Sequence, residues 1–172
     1  MSTFLKETSN MKPISIHINV EFCVPEELDE RDRQLVEKAK LMTAHAYSPY
    51  SQFSVGAALQ LADGQVFCGC NQENAAYPVG LCAERSAFYA AGAQAPGIPP
   101  VTIAIAAFTH GAFTQRPVSP CGSCRQALLE AEIRYKQPIR VLLYGSEGVY
   151  IIPSVGDLLP FNFDGSDLEK HV

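Results

Sequence analysis

Apolar and polar residues alternate from Ile14 to Val20, the period of a half-buried strand, and Pro25 breaks the run. The period then lengthens. Leu35, Val36, Ala39 and Met42 recur at helical spacing and predict a helix from Asp29 to Ala46, capped by Asp29 or Asp32 and stopped by Pro49. Two strands follow, Ser54 to Leu61 and Gln65 to Cys70, joined through Ala62-Asp63-Gly64, where Asp-Gly is a hairpin signal. Asn71 to Leu81 reads as a loop, and a second helix runs from Cys82 to Ala93. After the breaker cluster Ala95 to Pro100, Val101 to Phe108 is apolar throughout, the mark of a central strand buried on both faces. A third helix spans Cys121 to Arg134, and strands Ile139 to Tyr144 and Val149 to Ile152 close the pattern. The loop Thr109 to Val118 is long, and residues 1–13 are polar and loosely ordered.

This order predicts an α/β layered domain with a mixed five-stranded sheet. The hairpin supplies its antiparallel part; Val101 to Tyr144, strand-helix-strand, supplies a parallel, right-handed crossover. Residues 1–27 form an N-terminal extension with a possible strand, and 28–172 form the main domain.

Composition narrows the function. The 172 residues carry a formal net charge of −5, which gives no support to a phosphate-backbone binder. At 47% hydrophobic the chain can bury a core without disulfides. No secretory core stands near the start, and Val101 to Phe108 is far too short to span a bilayer. The expectation is a cytoplasmic protein with no membrane or nucleic-acid partner. There thiols stay reduced, so six cysteines point to metal or chemistry.

Two segments carry that chemistry: Cys82-Ala83-Glu84-Arg85 and Pro120-Cys121-Gly122-Ser123-Cys124-Arg125. Each opens a predicted helix, where free N–H groups and the positive end of the dipole favour thiolate. Cys121 and Cys124, three apart, can hold one ion; Cys82 adds a third thiolate and leaves a coordination position for water, as in catalytic zinc sites. Glu84 can sit beside that position and move its proton. Three thiolates overcompensate Zn²⁺ and would blunt water activation. The helix N-termini, Arg85 and Arg125 offset this, both arginines being placed to hydrogen-bond thiolates.

Cys-x-Glu followed by Pro-Cys-x-x-Cys is the signature of zinc deaminases of nucleobases, and both halves are present here. The chain resembles the cytidine deaminases, in particular the homotetrameric class with three cysteine ligands. The likeness covers roughly residues 35–168. It includes Ala46 to Ala58, Gly69 to Pro78, both cysteine segments and Leu158-Leu159-Pro160-Phe161-Asn162-Phe163. The resemblance implies a three-layer α/β/α fold, one Zn²⁺ per chain, and hydrolysis of cytidine or deoxycytidine to uridine or deoxyuridine with loss of ammonia. It implies that Asn71 and Glu73 bind the ribose hydroxyls, Phe53 packs on the base, and the Ala83 N–H donates to the pyrimidine carbonyl. It also implies that Tyr50 and Phe163 serve a neighbouring subunit's site, so that the active sites are shared in a homotetramer.

Plainer readings stand beside these. The cysteines could be inert or form a closed structural zinc site, which would need Cys68 or Cys70 as fourth ligand. Those two face one side of a predicted strand and read as buried small hydrophobes; Cys23 reads as a thiol without a task. His17, His45, His110 and His171 read as solvated side chains. Arg125 could pair with a carboxylate on its own helix. Asn71 and Glu73 could shape a turn, and Phe53 and Phe163 could be core. The competing functions are a deaminase of another cytosine nucleoside, such as a nucleoside antibiotic, and a non-catalytic zinc-stabilised binding protein.

Overall fold

The Asp29 carboxylate accepts the Asp32 N–H at 2.9 Å and caps helix α1, Glu30–Met42. Asp32, the other candidate cap, is buried and paired with Arg140 at 2.6 and 3.2 Å. In this computed structural model, which describes residues 12–168, a 3₁₀ turn (Thr43–His45) ends the helix before Pro49. Strands β2 (Ser54–Leu61) and β3 (Val66–Cys70) form the expected hairpin, with Gly64 at φ 90°. Helix α2 (Ala83–Gln94) leads to β4 (Pro100–Thr109), and helix α3 (Gly122–Tyr135) to β6 (Arg140–Gly145), which lies parallel to β4. Strand β7 (Gly148–Ile152) turns back antiparallel to β6.

The sheet has seven strands where five were expected. One addition is β5 (Ala112–Phe113), paired with β4 inside the predicted long loop. His110 and Gly111 both have positive φ, 51° and 81°, as a two-residue hairpin turn of the primed type requires. Phe113 then packs edge to face on Phe108 and Tyr144. The other is β1 (Glu21–Cys23), which corrects the predicted N-terminal strand. Residues 14–20 form no strand, and Ile14, Ile16, Ile18 and Val20 are all exposed. Pairing begins only where edge strand β7 offers partners, Glu21 to Ile151 through Cys23 to Val149. There the Phe22 ring packs on Tyr150, over the bare backbone of Gly148. The loose ordering expected of residues 1–11, and His171, lie outside the described residues.

The strand order β1-β7-β6-β4-β2-β3 is covered on both faces, giving three layers. On one face α1 sets Leu35, Val36 and Ala39 against Ala58, Ala104, Ala106 and Leu142. Gly56 admits the helix: a Cβ there would strike the Ala39 carbonyl. On the other face α2 and α3 set Ala87, Ala91 and Leu128 against Leu59, Ile103, Ile105, Val141 and Leu143. Each fully buried leucine, isoleucine or valine among them contributes about 1.5–3 kcal/mol. Gly69 lets the start of α2 rest on β3, since a Cβ would lie 2.5 Å from the Ala83 carbonyl and the Ala87 nitrogen. Cys68 and Cys70 were expected to be buried, but Cys68 is exposed and Cys70 half-buried, because β3 is an edge strand. Among the described residues no helix is long and apolar enough to cross a membrane.

Candidate active site

Cys82 and Cys121 are the N-cap residues of α2 and α3, both extended (φ −74°, ψ 154° and φ −67°, ψ 165°), and neither side chain caps its helix. Cys124 lies in the first turn of α3 and is buried. The sulfurs of Cys82 and Cys121 are 3.7 Å apart and those of Cys121 and Cys124 3.5 Å, all three within 4.8 Å of one another. Sulfurs about 2.3 Å from a tetrahedral zinc ion stand about 3.8 Å apart, so the donor set fits that ion. No fourth Cys, His, Asp or Glu joins the cluster among the described residues. Cys70 instead directs its thiol to the His45 carbonyl. The fit is to a zinc centre with an open position, not to a closed structural one.

The charges follow from this packing. The Cys82 thiol is pulled down to about 5, first by its hydrogen bond with Cys124 and then by Arg85, whose Nη2 lies 3.7 Å from Cys82 Sγ. The same bond with Cys82, together with burial, pushes the Cys124 thiol up. Arg85 Nε is buried without a hydrogen-bond partner, a further donor at the cluster. Glu84 is 4% exposed, and burial pushes its carboxyl above the ordinary carboxylate value; the Cys82 charge adds to the rise. A buried carboxyl beside a metal site, its proton affinity raised, can both take and give a proton.

Arg125 departs from the expectation. Its Nε donates to the Pro120 carbonyl and its Nη1 to the Leu158 carbonyl, both at 2.8 Å, so it ties the peptide before Cys121 to the C-terminal segment and reaches no thiolate. Gln126 adds a bond to the Phe163 carbonyl at 2.9 Å, and the Phe163 ring is exposed.

An open cleft of about 520 Å³ lies beside the cluster, lined by Tyr50, Asn71, Glu73, Tyr77, Cys82 and Arg85 among others. The loop after the first helix reaches it because Tyr47 pairs with the 71–73 segment: Tyr47 N–H donates to Asn71 at 3.0 Å and Glu73 N–H returns to Tyr47 at 2.8 Å. Tyr50 lines this cleft, edge to face with Tyr77. Phe53 and Ala83 do not line the cleft; Phe53 is half-buried, and Ala83, first residue of α2, is buried with its N–H at the helix start. Tyr77, Gly80 and Leu81 were not singled out from the sequence. Tyr77 lies in the family-like segment Gly69 to Pro78, while Gly80 and Leu81 lie beyond it. Among the histidines, His17, His45 and His110 are exposed and apart from the site.

Three thiolates at paired helix N-termini with a buried glutamate define a zinc-dependent hydrolytic site. Comparison with known proteins agrees. The profile described as the cytidine and deoxycytidylate deaminase zinc-binding region matches residues 29–137. The chain is 40% identical over 136 residues to the cytidine deaminase of Sporosarcina psychrophila, covering 78% of this chain and 93% of that protein. It is 39% identical to that of Halalkalibacterium halodurans, covering 80% and 98%. Among solved structures, the cytidine deaminase of Burkholderia pseudomallei matches with a TM-score of 0.64 and 44% identity, over 76% of this chain and 97% of that one. The chain belongs to the cytidine and deoxycytidylate deaminase family.

Proposed function

We propose that this chain hydrolyses cytidine and deoxycytidine to uridine and deoxyuridine, releasing ammonia, as a step of pyrimidine salvage. The observation that carries the reading is Glu84, buried against three thiolates whose spacing fits zinc. One zinc ion per chain, held by Cys82, Cys121 and Cys124, would supply a Lewis acid that activates water for attack at C4 of the base. Glu84 takes the proton of that water, gives it to N3, and then carries one to the departing amino group. Arg85 offsets thiolate charge. The Ala83 N–H donates to the pyrimidine carbonyl, Phe53 packs on the base, and Asn71 and Glu73 face the ribose.

Phe163, exposed on a segment held by α3, reaches a neighbouring subunit's site in a homotetramer. The exposed side chains of Tyr77, Val79 and Phe161 support such an interface. The acidic charge favours a free nucleoside over nucleic acid and, with the cysteine usage, a cytoplasmic location. Residues 28–172 form the deaminase domain, with 1–27 as an extension.

The test is turnover of cytidine, followed by its absorbance. Activity should vanish with a strong chelator, return with zinc, and fall per chain on dilution as tetramers part. Chelator-resistant turnover, or none with zinc present, would refute the reading.

A further inference from the structure

We infer that Asn71 is a positioning residue for the loop that carries Phe53, and that Glu73 assists it. The inference rests on the deaminase reading, because it concerns how the base is held, and it assigns these two side chains a task before any sugar contact. Asn71 Nδ2 donates to the Phe53 carbonyl at 2.9 Å, and its Oδ1 accepts the Val55 N–H at 2.7 Å. One amide therefore spans Ser54 and fixes the backbone on the C-terminal side of the Phe53 ring.

Glu73 does the same two turns of chain earlier. Its Oε2 accepts the N–H of Tyr50 at 2.9 Å and of Ser51 at 3.2 Å. Between these two anchors Gln52 takes a left-handed φ of 55°, a conformation that a non-glycine residue holds only when its surroundings impose it. Ser48 and Ser54 hydroxyls meet at 3.0 Å across the base of the loop, and Thr109 bonds the Gln52 carbonyl at 3.1 Å. A carboxamide has two N–H donors and two lone pairs on oxygen. Both its polar atoms already serve the backbone, so a ribose hydroxyl meets only what remains. Loss of Asn71 should release Phe53 whatever sugar the nucleoside carries.

The experiment compares kcat/KM for cytidine and for 2′,3′-dideoxycytidine, which lacks the sugar hydroxyls, in wild type, Asn71→Ala, Phe53→Ala and the double variant. Asn71→Ala should lower kcat/KM for both nucleosides, about tenfold or more on the dideoxynucleoside for two hydrogen bonds lost and at least as much on cytidine, which also loses a ribose contact. In the Phe53→Ala background the further loss should shrink to about twofold on the dideoxynucleoside, the usual error of additivity, and on cytidine to what the ribose contact alone supplies. Asn71→Asp, which keeps the acceptor for Val55 but sets an oxygen against the Phe53 carbonyl, should give the same pattern if Asn71→Ala fails to fold. A loss confined to cytidine, or full additivity with Phe53→Ala, would overturn the inference while leaving the deaminase reading intact. Should the wild type spare the dideoxynucleoside, the cycle with Phe53 on cytidine decides alone. No wild-type turnover of either nucleoside would overturn both.

Discussion

Three helices pack on this sheet, and they begin in two different ways. At the start of α1 the Asp29 side chain accepts the Asp32 N–H and satisfies an otherwise free donor. At the starts of α2 and α3 the same position is a cysteine that makes no cap bond. The first arrangement belongs to a helix whose work is packing: α1 covers small residues on its face and bonds Arg140 through Asp32. The second leaves two positive helix ends open, pointing toward three sulfurs. Helix starts thus divide the molecule into a face that stabilises and a face that reacts. The reacting helices forgo about 1 kcal/mol of capping each, which a bound cation can offset through thiolate ligation.

Substitutions that act on one kind of helix start and not the other test the division. The largest effect should come from Cys124→Ala at the reacting end. It removes a buried ligand and should weaken zinc binding by more than about 100-fold, beyond what outer partners of a metal site contribute, with loss of turnover. Competition with a chromophoric chelator measures this. Arg85→Gln should be milder, about 10- to 100-fold in zinc affinity or turnover. Without the guanidinium the Cys82 thiol rises from about 5, so protons compete better for it and zinc release on acidification moves to higher pH. A pH titration of bound zinc reads that direction. Asp29→Ala, at the packing end, should lower unfolding free energy by about 1 kcal/mol in a denaturant titration and leave turnover untouched. Equal effects of Asp29→Ala and Arg85→Gln on turnover would erase the distinction.

The reacting end was legible in the sequence because its chemistry is local. Cys82 and Glu84 lie two residues apart, Cys121 and Cys124 three, and each pair opens a helix whose period is visible from the chain alone. The central strands were legible for a similar reason, each being a run of apolar residues. What escaped depends on partners distant in sequence. Alternation from Ile14 to Val20 mimics a half-buried strand, yet pairing waits for Glu21, where β7 is within reach. The Arg125 bond to Leu158 spans 33 residues and the Asn71 bonds to Phe53 and Val55 cross from one strand to the start of its neighbour. A spacing rule sees neither. The hairpin at His110-Gly111 needed two positive φ angles, of which only glycine takes one without steric cost.

In the proposed site the thiolates hold the metal and Glu84 moves the proton. Zinc content and cytidine turnover of Glu84→Gln, measured on one preparation, test it most directly. The account predicts that zinc stays bound as in the wild type while turnover falls at least about 100-fold, the contribution of a positioned proton-transfer group. Turnover at the wild-type level, or zinc lost together with activity, would contradict it.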